Sequence, residues 1–141
     1  MTERIEALAR LCRQFEIEIL YAFGSRAEEV KEWLTGACSS LPPSFSDVDI
    51  GSKAAPETNL SVHDKVRLTL ALEDLLGVMR VDMVCLSDAD PFVAANIVRG
   101  VRLYAYDSYQ ADEYELYILR RAGDLAPLER ERMALILGES Q

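Results

Sequence analysis

Near the start of the chain, apolar residues recur every three or four positions, and polar residues fill the positions between them. The apolar set is Ile5, Leu8, Cys12 and Phe15. This spacing predicts an amphipathic first helix of about three to four turns. A β-rich run over 17–23 follows and stops at Gly24 and Ser25, which predicts a strand with an abrupt end.

The rest of the chain continues this alternation of helical and extended patterns. The predicted segments are a helix over 26–34, a loop over 35–44, a short strand over 47–52, a helix from a cap at Ser61 to about Gly77, a strand over 78–86, a helix over 90–99, a strand over 101–105, and one or two helices over 108–141 broken around Gly123 to Pro127. The helix after Ser61 is expected to be long and well buried through its apolar residues, which are Val66 and Leu70 with Leu68, Leu72, Leu75 and Leu76 nearby. This order predicts a mixed α/β or α+β sheet with helices packed against it.

The composition fits one domain and argues against several kinds of site. The 141 residues are half apolar and carry a net charge of −9, so long nucleic acid is not an expected partner, whereas a basic protein surface is favoured. His63 is the only histidine, and the three cysteines form no Cys-x-x-Cys pair, which argues against structural zinc. No apolar run resembles a signal peptide or a membrane span, so the expected location is the cytoplasm.

Asp47 and Asp49 stand two residues apart in a predicted strand, so both side chains leave the same face. Carboxylates this close repel each other by a few kcal/mol at an effective dielectric of about 20. A divalent cation relieves that repulsion, and oxygen ligands without His or Cys favour a hard ion such as Mg²⁺. The pair alone is weak evidence, because the same Ser-Asp-x-Asp string recurs at 87–90 before Pro91, where it is typical of a turn and helix cap.

A third carboxylate, Asp82, lies inside an apolar segment between Val81 and Met83. If those two residues face the core, Asp82 faces away from it, toward Asp47 and Asp49 on a neighbouring strand. Three acids that converge from two strands can hold two Mg²⁺ ions, the arrangement used for in-line phosphoryl or nucleotidyl transfer. The alternative is that Asp82 is simply a solvent-facing strand residue.

The turn Gly24-Ser25-Arg26 comes directly after the first strand and before a predicted helix. Gly24 has no Cβ to keep a phosphate away from the backbone. The N–H groups at the helix N-terminus and the Ser25 hydroxyl can bind a triphosphate. Arg26 can add positive charge there, or its side chain can equally point to solvent. The turn is therefore a candidate nucleotide-binding site.

Three strings of the sequence carry a family resemblance. They are Gly24-Ser25-Arg26-Ala27, Ser46-Asp47-Val48-Asp49-Ile50 and Val81-Asp82-Met83-Val84. Together they resemble the nucleotidyltransferase superfamily with the DNA polymerase beta palm fold, and within it the minimal nucleotidyltransferase (MNT) group. The similarity covers about 15–105, and 97–104 resembles the closing strand of the family. The resemblance implies an α+β fold with a small mixed β-sheet, in a single domain over 1–141 with C-terminal helices over about 108–138.

The resemblance also implies an activity and a partner. Family members pair with HEPN-domain proteins in toxin–antitoxin systems, in which the nucleotidyltransferase is the antitoxin. It can transfer AMP from ATP to a tyrosine of the HEPN toxin, so a hetero-oligomer with such a toxin is expected, with Mg²⁺ as cofactor. The implied site residues are Gly24, Ser25 and Arg26 for the nucleotide, and Asp47, Asp49 and Asp82 for catalysis and the two metal ions.

Two departures from the family pattern keep alternatives open. The family usually has Gly-Ser-x-Ala-Arg-Gly, whereas Glu28 and Glu29 stand here in place of Arg-Gly. In addition, the 21 residues 26–46 separate Ser25 from Asp47, well beyond the usual short link. These departures favour an antitoxin that neutralises its partner by binding, with weak or lost catalysis, whereas the intact acids favour an active transferase. A small-molecule nucleotidyltransferase is the third alternative, but the chain leaves little room for the extra domain of such enzymes.

Overall fold

A four-stranded mixed β-sheet forms the centre of the structure. The protein is represented by a computed structural model that describes residues 2–138. The strands are β1 (Ile17–Phe23), β2 (Val48–Ala54), β3 (Val81–Cys85) and β4 (Val101–Ala105), and their order across the sheet is β3-β2-β1-β4. β1 runs antiparallel to both of its neighbours, whereas β2 and β3 are parallel. The predicted α+β fold class is confirmed.

Helices cover both faces of this sheet. One face packs against α1 (Thr2–Gln14), α2 (Ala27–Thr35) and α3 (Val62–Leu76), and the other against α4 (Pro91–Val98) and α5 (Ser108–Ile136). Alternate residues of β1 point to opposite faces of the sheet. Leu20 packs with the helices α1, α2 and α3, whereas Ile19 and Tyr21 pack with α4 and α5. Because both faces of β1 are largely buried, its sequence is apolar except at the partly exposed Glu18.

α3 begins and ends where the sequence predicts, but it buries only part of its predicted apolar set. The amide of Asp64 donates to the Ser61 hydroxyl at 3.0 Å, and Gly77 ends the helix with a φ of +69°. Its buried residues are Leu68, Leu72 and Leu76. Val66 and Leu70 are 51% and 54% exposed, so the expectation that they are buried is wrong. The helix carries apolar residues on more than one face, and only packing decides which face lies on the sheet.

The observed ends of β2 and β3 differ from the predicted ends because each strand extends only as far as it pairs with its neighbour. β2 extends beyond the predicted 47–52 to Ala54, because Lys53 and Ala54 pair with β1. β3 is shorter than the predicted 78–86, because it pairs with β2 only from Val81 to Cys85, and Leu86 then begins a 3₁₀ turn. These ends depend on the neighbouring strand rather than on the pattern within one strand.

α5 is one continuous helix, so the predicted break around Gly123 to Pro127 is wrong. Pro127 lacks the N–H that would bond the carbonyl of Gly123. Both residues are exposed, so water can hydrogen-bond that carbonyl and the helix continues. Residues 139–141 of this predicted segment lie outside the described residues. Within residues 2–138, none of the helices combines the length and apolar character that crossing a membrane requires.

Candidate active site

β1 ends in a tight turn whose backbone lies against a carboxylate of β2. Gly24 has a φ of +75°, a left-handed conformation that glycine adopts without steric penalty. A Cβ built on Gly24 would lie 2.3 Å from Oδ2 of Asp49, so any side chain here would displace that carboxylate. The register is the cause, because Phe23, the last residue of β1, pairs with Asp49.

Ser25 is exposed and lies in the 3₁₀ turn Gly24–Arg26 that leads into α2. In this part of the chain, neither the turn nor α2 has a side-chain hydrogen bond at its N-terminus. The Ser25 hydroxyl is therefore not used as a helix cap. Because the first N–H groups of a helix have no partner within the helix, the turn presents donors of the kind that bind phosphate.

Asp49 and Asp82 are neighbours on two parallel strands. They are direct register partners in the ladder between β2 and β3, and such partners point to the same face of a sheet. Asp82 is exposed whereas Val81 is buried, so β3 turns this acid away from the core that Val81 helps to form. The structure thus brings the acid of β3 next to the acid of β2.

Asp47, the third acid, immediately precedes β2. It is half-buried, and its Oδ2 lies 3.7 Å from Nε of Arg80. The Arg80 side chain is 79% exposed, so water screens this ion pair and it contributes little to stability. The amide of Val48 donates to the Arg80 carbonyl at 3.1 Å, which fixes the backbone on the C-terminal side of Asp47.

The three acids together make ionisation unfavourable at Asp49. Partial burial, and then the negative charges of Asp82 and Asp47, raise the pKa of Asp49 above its usual range. A divalent cation would relieve this repulsion, and the all-carboxylate donor set fits Mg²⁺. Within residues 2–138, no three His, Cys, Asp or Glu side chains already stand close enough to hold one ion. The two-Mg²⁺ site therefore stays a prediction.

Arg26 is buried and binds the segment that precedes β2. Its Nε donates to Oε1 of Glu29 at 2.6 Å, and its other nitrogens donate to the backbone carbonyls of Ser46 and Pro42. Arg26 is only 5% exposed, so it does not point to solvent, and its contact with a nucleotide stays a prediction. Sequence reasoning missed Glu29 as a partner, although residues three apart on a helix are neighbours and the spacing gave that signal.

Comparison with known proteins identifies the family. The family model described as "Polymerase beta, Nucleotidyltransferase" matches residues 6–109. The chain belongs to this family. The predicted resemblance is confirmed, and the match extends beyond the predicted 15–105 to include most of α1. Comparison with curated protein sequences gives no match.

Solved toxin–antitoxin structures share the fold of this nucleotidyltransferase. A tri-AMPylated Shewanella oneidensis HEPN toxin in complex with MNT antitoxin is matched with 20% identity and a TM-score of 0.63, over 96% of this chain and 94% of that chain. A toxin–antitoxin with AMP-PNP is matched with 21% identity and a TM-score of 0.66, over 94% of each chain. A mutant of the toxin–antitoxin MntA–HpeT is matched with 20% identity and a TM-score of 0.67, over 94% of each chain.

In this nucleotidyltransferase, the turn and the acids meet at one end of the sheet. β1 ends at Phe23, and β2 and β3 begin beside it at Val48 and Val81. The backbone N–H groups of the turn therefore lie next to the carboxylates of the strands. Such an arrangement can hold a nucleoside triphosphate through its phosphates and their metal ions.

Proposed function

We propose that this nucleotidyltransferase transfers AMP, or another nucleoside monophosphate, from a nucleoside triphosphate to a hydroxyl group. The acceptor is a tyrosine of a HEPN-domain toxin, so the chain acts as an antitoxin. The observation that carries the proposal is the pairing of Asp49 with Asp82 directly beside Gly24. Two structures of the same fold support it, since one contains a tri-AMPylated HEPN toxin and the other is a toxin–antitoxin with AMP-PNP.

Each site residue has a distinct role in the proposed reaction. The Gly24 backbone and the Ser25 hydroxyl hold the triphosphate. Asp47 and Asp49 would hold the two Mg²⁺ ions, and the ions would supply positive charge that stabilises the attacking and leaving oxygens. Asp82 completes the ligand set and accepts the proton of the incoming hydroxyl. The acceptor oxygen bonds to the α-phosphorus, the bond from that phosphorus to the bridging oxygen breaks, and pyrophosphate leaves.

The test is Mg²⁺-dependent transfer of label from α-labelled ATP to the HEPN partner. We expect Asp47→Asn and Asp49→Asn each to lower the transfer rate by about a hundredfold or more, because each removes a carboxylate that would hold the Mg²⁺ ions without changing the size of the side chain. Chelation of the metal with EDTA is expected to stop transfer in the wild type.

Asp88→Asn is the matched control for these variants. Asp88 occupies the same position in the second Ser-Asp-x-Asp string, where its side chain is 69% exposed and lies 3.5 Å from Lys65. We expect it to transfer label at the wild-type rate. A full rate in Asp49→Asn, or an equal loss in Asp88→Asn, contradicts the assignment of the acids.

The second candidate function is an antitoxin that neutralises its partner by binding alone. It is favoured by Glu28, which is exposed and adds negative charge close to the turn that would bind phosphates. In that case the wild type transfers no label, and a variant carrying both Asp47→Asn and Asp49→Asn still neutralises the toxin. Loss of neutralisation together with loss of transfer excludes this candidate.

We also propose that the chain works as a single domain over 1–141 in the cytoplasm, as a hetero-oligomer with the toxin. The three cysteines are free thiols, which suits a reducing compartment. The net charge of −9 favours a partner with a basic surface. Co-purification of both proteins, with their mass ratio measured by light scattering, tests the assembly.

A further inference from the structure

Two arginines hold the segment that connects α2 to β2. This connecting segment (residues 36–47) contains neither helix nor strand. Arg4, on α1, donates to the carbonyls of Trp33, Cys38 and Ser39 at 2.6 to 2.8 Å. Arg4 therefore fixes the first part of the connecting segment against α1.

Arg26 holds the second part of the connecting segment, next to the acids. It donates to the carbonyl of Pro42 and, at 3.3 Å, to that of Ser46. Ser46 is the residue before Asp47, and the amide of Val48, the residue after it, is also bound to a backbone carbonyl. The backbone on both sides of Asp47 is thus held by hydrogen bonds.

Glu29 makes the burial of Arg26 possible. The Arg26 side chain is 6% exposed and its Nε lies 2.6 Å from Oε1 of Glu29, so the buried cation has a counter-charge, without which burial is strongly unfavourable. A guanidinium is a planar, rigid fork. Pairing at Nε therefore directs the remaining N–H groups of Arg26 toward the connecting segment.

We propose that Arg26 and Glu29 are positioning residues that form a latch, which fixes Asp47 where it binds metal. The inference rests on the proposed function, in which Asp47 is a metal ligand. It links Glu29, one of the two residues that depart from the family motif, with the long connection. Glu29, which stands where the family usually has glycine, pairs with Arg26, and Arg26 holds the long connection that would otherwise leave Asp47 at the end of a loose chain.

A direct contact between Arg26 and a phosphate makes different predictions. Lysine keeps the positive charge but cannot bridge three acceptors with a planar fork, so Arg26→Lys opens the latch while a charge remains beside the phosphates. Removal of the negative charge in Glu29→Gln would strengthen a direct phosphate contact, but it weakens the latch. Glu29→Gln should therefore weaken AMP-PNP binding if Arg26 acts as a latch, and strengthen it if Arg26 contacts a phosphate directly.

The test follows chymotrypsin cleavage of the full chain after Phe45, whose side chain is fully exposed in the connecting segment. In Arg26→Lys and in Glu29→Gln, we expect cleavage to be about tenfold faster and Mg²⁺-dependent binding of AMP-PNP about tenfold weaker, as for loss of a group that orients a metal ligand. AMP-PNP binding in EDTA is expected to stay the same, because the latch acts through Asp47 and the metal. Glu32→Gln, at an exposed position of α2 one turn further from the site, is the matched control and should change neither property.

Wild-type cleavage rates in both Arg26→Lys and Glu29→Gln would overturn the latch, whether or not the wild type transfers AMP. Tighter binding of AMP-PNP by Glu29→Gln would also overturn it, in favour of a direct phosphate contact. If the wild type transfers no AMP while both variants show faster cleavage and weaker Mg²⁺-dependent binding, the proposed reaction fails and the latch is supported. Thermal melting of each variant checks that the fold itself is retained.

Discussion

At the scale of single residues, the site collects groups that oppose folding when no metal is bound. Asp49 is half-buried, lies next to Asp82 in the sheet register, and also feels the charge of Asp47. The bare backbone of Gly24 lets the Asp49 carboxylate sit against the turn. Like charges gathered in a partly desolvated place destabilise the folded state, so these acids are expected to reduce stability in the metal-free protein.

Asp49→Asn should therefore stabilise the metal-free protein at neutral pH. The pKa of Asp49 is raised in the folded state, so its contribution to stability is fully present below the usual pKa of an aspartate and is lost as the pH rises through the folded pKa. Asparagine is neutral at every pH. The gain in thermal midpoint of Asp49→Asn over wild type, measured in EDTA, should be smallest near pH 3 to 4 and grow toward pH 7.

The same stability measurement can be checked with a control variant and by adding Mg²⁺. Asp88→Asn removes an exposed carboxylate outside the site and should show no such gain. At saturating Mg²⁺, the wild type should become more stable relative to Asp49→Asn, because only a folded, intact site binds the ion. If the wild type is more stable than Asp49→Asn at pH 7 in EDTA, repulsion among the acids does not destabilise the metal-free protein.

The parts of the site that lie in short strings could be predicted from the sequence, and the parts made by the path of the chain could not. Gly24 is recognisable at a strand end, and the sequence correctly places Asp49 in a strand. Asp47 is predicted in the same strand, but β2 begins only at Val48, so a shared face for the two acids stays a prediction. Arg26 was expected to bind nucleotide or to face solvent. Its actual acceptors depend on how residues 36–47 return to the sheet, which no local pattern contains.

At the scale of elements, α3 offers a matched pair of leucines for a stability test. Leu68 has no exposed surface, whereas Leu70, two residues on, is 54% exposed. We expect Leu68→Ala to lower the free energy of unfolding by about 2 to 5 kcal/mol, because it leaves a cavity under the sheet. Leu70→Ala should stay within about 0.5 kcal/mol of wild type, as surface changes do. Chemical denaturation measures both, and equal losses would show that α3 buries a different face.

The elements themselves were largely predictable, because each has its own period and its own end signals. Ser61 and Gly77 mark the ends of α3 in the sequence and in the structure. The predictions were wrong where packing against a neighbouring element determines the buried face or the end of an element. The sequence does not say which leucines of α3 meet the sheet, and the length of β3 follows from its pairing with β2. Pro127 is tolerated within α5 because that stretch of the helix is exposed.

At the scale of the whole molecule, a polar network joins the sheet to α5. The hydroxyl of Tyr21 donates to Oε2 of Glu115 at 2.7 Å, across 94 residues of sequence. Arg102, next to Tyr21 in the sheet register, pairs with Glu115 and with Asp112. Burial, and then the hydrogen bond to Glu115, raises the pKa of Tyr21 above its usual range, so the hydroxyl stays a donor at ordinary pH. This network left no signal in the sequence, because its members belong to three separate elements.

Removal of that one hydroxyl should weaken the attachment of α5 to the sheet. In Tyr21→Phe, Glu115 keeps Arg102 as a partner, so the loss is one hydrogen bond to a charged group, and the free energy of unfolding should fall by about 1.5 kcal/mol. Tyr117→Phe is the matched control, because Tyr117 is on α5 but 56% exposed, and it should change stability by less than about 0.5 kcal/mol. Urea denaturation at pH 7 compares the two variants. If Tyr21→Phe proves as stable as Tyr117→Phe, the network does not contribute to holding the two layers together, and packing of the apolar residues of α5 alone accounts for its position.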